Sequence, residues 1–205
     1  TNYMGTTKRV SELICQASSK INNFTKFSIV RFGNVIGSSG SVIPKFQNQI
    51  NIGGPVSVTD KNITRYFMSI KEAAGLVIQA SALGESGDIF VLDMGKPVNI
   101  LSLAKRMIKL NGFEPDLSEL TIQNEIKKIK IKFTGLRKGE KLHEELFIGD
   151  KIYKTQHPRI LKSKEKGISN KKINEFLKKL KTISNKRDLI LIKKLFMSLS
   201  NEFNI

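Results

Sequence analysis

The stretch Phe27-Ser-Ile-Val-Arg-Phe-Gly-Asn-Val-Ile-Gly-Ser-Ser-Gly-Ser-Val-Ile-Pro44 decides the fold. Its first six residues, 27–32, are rich in β-branched and aromatic types and read as a buried strand. Three glycines and three serines then fall within nine residues, Gly33 to Ser41. Small residues at that density make a loop rich in backbone N–H groups and hydroxyls. Residues 42–51 read as a short helix, stopped at Gly53-Gly54-Pro55. A strand that runs through a small-residue loop into a helix is the building block of an α/β fold. Such a loop is either a plain turn or a place where backbone approaches a phosphate or a cofactor ring. It is not the Gly-x-Gly-x-x-Gly fingerprint, which occurs nowhere in the chain.

Working outward, Val10, Leu13, Ile14 and Ala17 recur at helical spacing and predict a helix over 4–20. Strands are expected at 56–59 and 63–68, an apolar helix at 70–83, and a strand at 88–93 after Gly87. A helix over 99–111 ends at Gly112, a C-terminal cap signal. Ile129, Ile131 and Phe133 alternate with lysines and predict a half-exposed strand over 126–133. Leu136–Glu140 reads as a turn before a helix at 141–147, and two amphipathic helices follow at 170–183 and 186–200.

The 205 residues carry 35 Lys+Arg against 18 Asp+Glu, a net charge of +17. Counted along the sequence, residues 1–126 hold +3 and residues 127–205 hold +14. The excess therefore belongs to the last 79 residues. A basic tail suits an anionic partner, and its amphipathic helices dock on the domain, on a partner, or on an anionic membrane surface. No RNA-recognition motif or zinc finger accompanies the charge, so nucleic acid is not expected. The single cysteine excludes a disulfide framework. No apolar run approaches the ~18–20 residues of a spanning helix, so this segment reads as soluble.

Among chemistry-bearing residues, Met4 and Lys8 share a face of the first helix. In Tyr-x-x-x-Lys pairs this spacing lets the ammonium lower a phenol's pKa and hold a ribose. Here Met occupies the first position and cannot transfer a proton, and Tyr3 lies roughly 100° away. An ordinary surface lysine is the other reading. Arg65 and Arg137, on separate elements, suit either a diphosphate clamp or structural salt bridges. Glu140 is placed to accept from ribose hydroxyls. His143 and His157 lack metal-ligand spacing to each other or to Cys15, so no metal is expected.

The quoted stretch resembles the CapD-like polysaccharide-biosynthesis proteins, extended short-chain dehydrogenases that include UDP-N-acetylglucosamine 4,6-dehydratases. Ile63-Thr-Arg-Tyr-Phe-Met68, Phe90-Val-Leu-Asp-Met-Gly95, Phe133-Thr-Gly-Leu-Arg-Lys-Gly-Glu-Lys141 and Thr1-Asn-Tyr-Met-Gly-Thr-Thr-Lys8 agree with that family. The resemblance covers about residues 1–162.

The resemblance implies the C-terminal part of an extended Rossmann-type enzyme, with a substrate-binding subdomain and a helical tail. Residues 1–50 would end the dinucleotide-binding domain. Residues 51–167 would form mainly the substrate subdomain, with elements returning to the Rossmann sheet, and 168–205 the tail. The glycine-rich NAD loop and an acid–base Asp-Lys pair would lie upstream of Thr1, leaving the chain alone inactive. Lys8 would hold the nicotinamide ribose, with Met4 at the usual tyrosine site, and Gly33 would approach the nicotinamide through its backbone. Asn34 and the Ser41-Val42 backbone would contact the sugar diphosphate. Val56 and Val58 would flank the uracil, Arg65 and Arg137 would clamp the pyrophosphate, and Glu140 would bind the uridine ribose. Lys138 replaces a frequent Pro, which implies a looser turn.

The implied reaction takes hydride from sugar C4 to NAD, eliminates water across C5–C6, and returns hydride to C6. The product is a UDP-4-keto-6-deoxy sugar. A C4 or C5 epimerase is the alternative within the family, and a basic membrane- or nucleic-acid-binding module the alternative outside it. The full-length protein is expected to be a homo-oligomer at the cytoplasmic face of the inner membrane.

Overall fold

The computed structural model describes residues 3–22, 24–118, 127–145, 151–165 and 167–203. In chain order the elements are α1 (Tyr3–Ser18), β1 (Ser28–Arg31), β2 (Asn34–Val35), α2 (Val42–Asn51), β3 (Val56–Val58), β4 (Thr64–Arg65), β5 (Phe67–Met68) and α3 (Ile70–Leu83). There follow β6 (Asp88–Leu92), β7 (Val98–Asn99), α4 (Ile100–Leu110), β8 (Glu114–Asp116), β9 (Lys128–Phe133), β10 (Ile152–Lys154), β11 (Ile160–Ser163), α5 (Asn170–Asn185) and α6 (Leu189–Phe203). They form two compact units, and one of the points where the chain passes between them falls inside α3.

The first unit comprises 1–31, 76–93 and 146–205. Its sheet has the order β1-β6-β11-β10. β1 and β6 run parallel, Ser28 opposite Asp88, and β11 returns antiparallel to β6. β6 is buried along Ile89–Leu92, as a strand covered on both faces must be. α1 turns Val10, Leu13 and Ala17 inward, where they pack with Ile173 and Phe176 of α5 and Phe196 and Leu199 of α6. The Phe176 and Phe196 rings meet edge to face at 5.7 Å, a favoured aromatic arrangement. Ser169 caps α5 by accepting from the Lys172 N–H at 3.4 Å. Part of the basic excess after residue 126 therefore rides on helices whose apolar faces are docked within this unit.

The second unit comprises 32–75 and 94–145. Its three-stranded sheet, β3-β9-β8, is wholly parallel. β9 buries Ile129 and Ile131 and exposes Lys128, Lys130 and Lys132, the alternation expected of a half-solvated strand. Ile129 and Ile131 join Phe46 and Ile50 of α2, Val56 and Val58 of β3, and Ile100, Ala104 and Ile108 of α4 in one core. Asn99 does not belong to α4; its side chain caps it by accepting from the Ser102 N–H at 2.8 Å. At the other end Gly112 takes φ +80°, the left-handed residue that ends a helix. The expected strand 63–68 is two short pieces, β4 and β5. They part at Tyr66 because each pairs a different neighbour: β4 with β7 and β5 with β2.

Candidate functional site

Three stretches of the second unit converge on the segment 64–68. The Tyr66 carbonyl accepts from the Asn34 N–H at 3.0 Å, and the Thr64 N–H donates to the Leu142 carbonyl at 3.1 Å. Arg65 Nη1 donates to the Leu142 carbonyl at 3.3 Å and to the Thr64 carbonyl at 2.7 Å. The Tyr66 N–H donates to Glu144 Oε2 at 3.3 Å, and Thr64 Oγ1 bonds His143 Nδ1 at 2.9 Å. Residues 140–144 are thereby laid along 64–66 as an irregular strap. This corrects the expected helix over 141–147: residues 141–145 are not helical, because their polar groups pair with 64–66. Residues 146–147 lie outside the described residues.

Glu140 is the hub of the strap. Its Oε1 accepts from Arg65 Nη2 at 3.4 Å and from Thr59 Oγ1 at 3.3 Å. Its Oε2 accepts from the Arg137 N–H at 3.0 Å. The Glu140 N–H in turn donates to the Arg137 carbonyl at 2.9 Å, closing the turn 137–140. Gly139 has φ +80° at the third position, the signature of a type II turn, whose second position favours Pro. Lys138 occupies that second position. The Arg65 and Glu140 side chains are only 19% and 22% exposed, so their attraction is less screened than at a free surface. Arg65 is thus an ion-pair partner of Glu140, while the exposed Arg137 side chain has no partner among the described residues. Two guanidinium groups and a carboxylate held by 64–65 and 137–140 offer donors suited to phosphate oxygens and an acceptor suited to a diol.

Gly33 is wedged, not open. A Cβ there would stand 3.0 Å from Tyr66 Cβ and 3.2 Å from Glu144 Oε2. The missing side chain makes room for those two residues. Asn34 lies in β2, half buried, and its amide side chain has no partner among the described residues. From β2 the chain turns at Ser38, whose Oγ donates to the Val35 carbonyl at 2.9 Å. It enters α2 at Ser41, which holds the N-cap position without a side-chain cap bond. Ser41 Oγ is buried and unpartnered among the described residues. Val42 opens α2, whose first-turn N–H groups lack intrahelical acceptors.

Val56 and Val58 are 0% and 1% exposed and pack into the core. Their side chains are filled into the core, so any contact with a uracil ring would come through their backbone. Strand alternation puts both on the core face, while Ser57 between them pairs with Gln49.

Lys8 and Met4 lie in the first unit, both exposed on α1. Met4 is 66% exposed. Lys8 forms no ion pair among the described residues, so its ammonium is available to a polar ligand. In the same unit, Arg9 and Glu12 of α1, Arg31 of β1 and Glu165 form a buried charge network. Burial pushes the Glu12 carboxyl up, but hydrogen bonds and charge from Arg31 and then Arg9 outweigh it and hold it below the usual glutamate range. Burial likewise opposes the Arg31 charge, yet Glu12 and Glu165 raise that group further.

Thr59, Tyr66, His143, Glu144 and the charge network escape the sequence reading. Glu144 follows Glu140 by four residues, a spacing that reads as helical and so hid its strap contact. Among the described residues no helix is long and apolar enough to cross a membrane, and no three His, Cys, Asp or Glu residues are grouped so that they could hold a metal ion.

Comparison with known proteins adds the lineage. The family described as "Polysaccharide biosynthesis protein" matches residues 1–165. The chain is 46% identical over 195 residues to the capsular polysaccharide biosynthesis protein CapD of Staphylococcus aureus, covering 90% of this chain and 31% of CapD. It is 34% identical over 157 residues to a UDP-glucose 4-epimerase of Rickettsia canadensis, covering 76% of this chain and 42% of the epimerase. Among solved structures, Pen from Bacillus thuringiensis superposes with a TM-score of 0.63 at 31% identity, covering 77% of this chain and 46% of Pen. The chain thus spans less than half the length of each of these proteins. Its mixed α/β architecture is that of the extended short-chain dehydrogenase/reductase enzymes. With its family pattern running from residue 1 to 165, the chain belongs to the polysaccharide biosynthesis protein family.

Proposed function

We propose that the whole protein is an NAD-dependent nucleotide-sugar 4,6-dehydratase acting on UDP-N-acetylglucosamine, and that this chain carries the UDP-sugar half of its site. The observation that carries the reading is the Arg65–Glu140–Arg137 arrangement. It combines the partly buried, ion-paired Arg65 fork and the Glu140 carboxylate with the exposed Arg137 guanidinium, the donor and acceptor set a nucleoside diphosphate needs. Similarity to CapD and to the epimerase supports a nucleotide-sugar substrate.

In this reading Arg65 and Arg137 bind the diphosphate, and Glu140 accepts from the uridine ribose. Asn34 and the Ser41-Val42 backbone at the start of α2 contact the sugar diphosphate. The exposed, unpaired Lys8 suits a ribose hydroxyl, so this part of the chain fits a nicotinamide dinucleotide. Gly33 is packed against Tyr66 and Glu144, so any contact with the cofactor would come through its backbone. When bound, NAD supplies reversible hydride acceptance. Met4 holds no transferable proton, so proton transfer at the sugar falls to residues outside this chain. Residues 1–50 close the dinucleotide domain, 51–167 form mainly the substrate subdomain, and 168–205 the tail. We place the whole enzyme, as a homo-oligomer, at the cytoplasmic face of the inner membrane.

The test is product analysis by NMR after the full-length protein acts on UDP-N-acetylglucosamine. A UDP-4-keto-6-deoxy sugar supports the dehydratase. Epimerised sugar alone supports the second reading, an epimerase, which the similarity to UDP-glucose 4-epimerase favours.

A further inference from the structure

Lys8 and Glu12 stand four residues apart on α1, so they share a face and lie within reach of each other. An ion pair is the ordinary outcome of that spacing, yet none forms. The Glu12 carboxylate is turned away and both its oxygens are engaged. Arg31 grips it with two prongs, Nε to Oε1 at 2.6 Å and Nη2 to Oε2 at 2.6 Å. Arg9 Nη1 adds a third bond to Oε2 at 2.8 Å.

The same two arginines hold Glu165, just after β11. Arg31 Nη1 reaches Oε1 at 2.6 Å and Arg9 Nη1 reaches Oε2 at 3.0 Å. Ser163 Oγ donates to Glu165 Oε1 at 2.9 Å. Two cations and two anions close a neutral ring whose side chains are 4–15% exposed. The ring spans α1, β1 and the segment after β11, all within the first unit. Removing Arg31 would free Oε1, leaving Arg9 on Oε2, and the nearest exposed cation on the helix is Lys8.

We propose that Arg31 is a positioning residue for Lys8: by occupying Glu12 it keeps the Lys8 ammonium free to bind the ribose diol of a dinucleotide. The inference rests on the reading of Lys8 as a ribose-holding residue. It assigns Glu12 as a competitor that the network restrains.

Two charge-balanced double variants of the full-length protein separate this role from a merely structural one. Arg31→Gln/Glu165→Gln leaves Glu12 in place with one free oxygen. Arg31→Gln/Glu12→Gln removes the competitor. Each retains one Arg9–carboxylate pair, so a purely structural network predicts equal effects. NAD+ affinity is measured by calorimetry, with thermal unfolding alongside. We expect the first double to bind NAD+ roughly three- to tenfold more weakly than wild type, between an exposed helical pair and a charge-assisted bond. The second should stay within about twofold of wild type, and added salt should narrow the gap because Lys8 is exposed to solvent.

Equal NAD+ affinity of the two doubles, while Lys8→Ala binds more weakly than wild type, overturns the proposal. If Lys8→Ala binds NAD+ like wild type, the reading of Lys8 itself fails, and the inference with it. Should either double fail to fold, Arg31→Lys compared with Arg31→Lys/Glu12→Gln makes the same comparison. Lysine keeps the charge but loses the two-pronged grip.

Discussion

Replacing Glu140 by Gln changes one atom type at the hub of the strap. The carboxylate accepts three bonds: from Arg65 Nη2 at 3.4 Å, Thr59 Oγ1 at 3.3 Å and the Arg137 N–H at 3.0 Å. An amide offers one acceptor oxygen and one NH2. Whichever way it lies, its NH2 faces a donor, either the Arg137 N–H or the Arg65 and Thr59 side. If the oxygen stays on the Arg65 side, the turn bond to Arg137 is lost and the charge assistance to Arg65 disappears. The bond to a charged group is worth about 1.5–3 kcal/mol when buried. The Arg65 bond is present with and without nucleotide and cancels, so the affinity loss is that of the bond from the uridine ribose to the carboxylate; at 22% exposure the low end applies, about 1.5 kcal/mol. At 1.4 kcal/mol per decade, that is a tenfold or greater loss of UDP affinity. The assay is calorimetric titration of the full-length variant with UDP, which isolates the nucleotide from the sugar chemistry. Circular dichroism should show an intact fold, because the strap is half exposed and core residues are untouched. UDP affinity within twofold of wild type would refute the reasoning, since the hub would then serve the strap alone.

Three further outcomes follow from local structure. Lys138→Pro places the residue a type II turn prefers at its second position and should stabilise the full-length protein by about 0.4–1 kcal/mol in chemical denaturation; a loss of stability would contradict the turn assignment. Gly84→Ala would bring a Cβ to 2.3 Å from Phe90 Cζ and 2.6 Å from Asp88 Oδ2. Phe90 is fully buried, so the variant should lose about 1–3 kcal/mol, read as a lower urea midpoint, and an unchanged midpoint would contradict that packing. Glu12 is held below the ordinary value of 4.5, so its contribution is complete above that pH and is lost as pH falls through the lower folded-state value. Urea midpoints measured from pH 6 to pH 3 should therefore fall less steeply in Glu12→Gln than in wild type, and parallel curves would count against the network.

Local pattern carried much of the fold. The helices α2 and α3 stand where the apolar spacing put them, at 42–51 and 70–83. β9 is legible because Ile129 and Ile131 alternate with lysines. β10 and β11 are not, because Tyr153, Lys154 and Lys162 dilute any apolar run; β11 is a strand through pairing with the long-distant β6, and β10 through pairing with β11. The strap 140–144 defeats the same method. Its leucine and glutamates have helical spacing, but tertiary bonds to Thr64, Arg65 and Tyr66 outweigh so weak a preference. At the site, charged residues set in small-residue turns made Arg65, Arg137 and Glu140 candidates. Thr59 and Glu144 gave no such signal, because their partners lie 81 and 78 residues away. Val56 and Val58 are placed beside a uracil by resemblance alone; that their side chains fill the core behind β3 is visible in their alternation with Ser57 only once the sheet is known. The ring of Arg9, Glu12, Arg31 and Glu165 joins Arg31 of β1 to Glu165, 134 positions away, a distance no spacing rule reaches.

The central claim is that residues 33–35, 64–68 and 137–144 bind a UDP-sugar. Hydrogen exchange of the full-length protein with and without UDP-N-acetylglucosamine tests it most directly. The account predicts slower exchange at 64–67 and 137–144, with α5 and α6 unchanged. Unchanged exchange in both stretches at saturating ligand would contradict it.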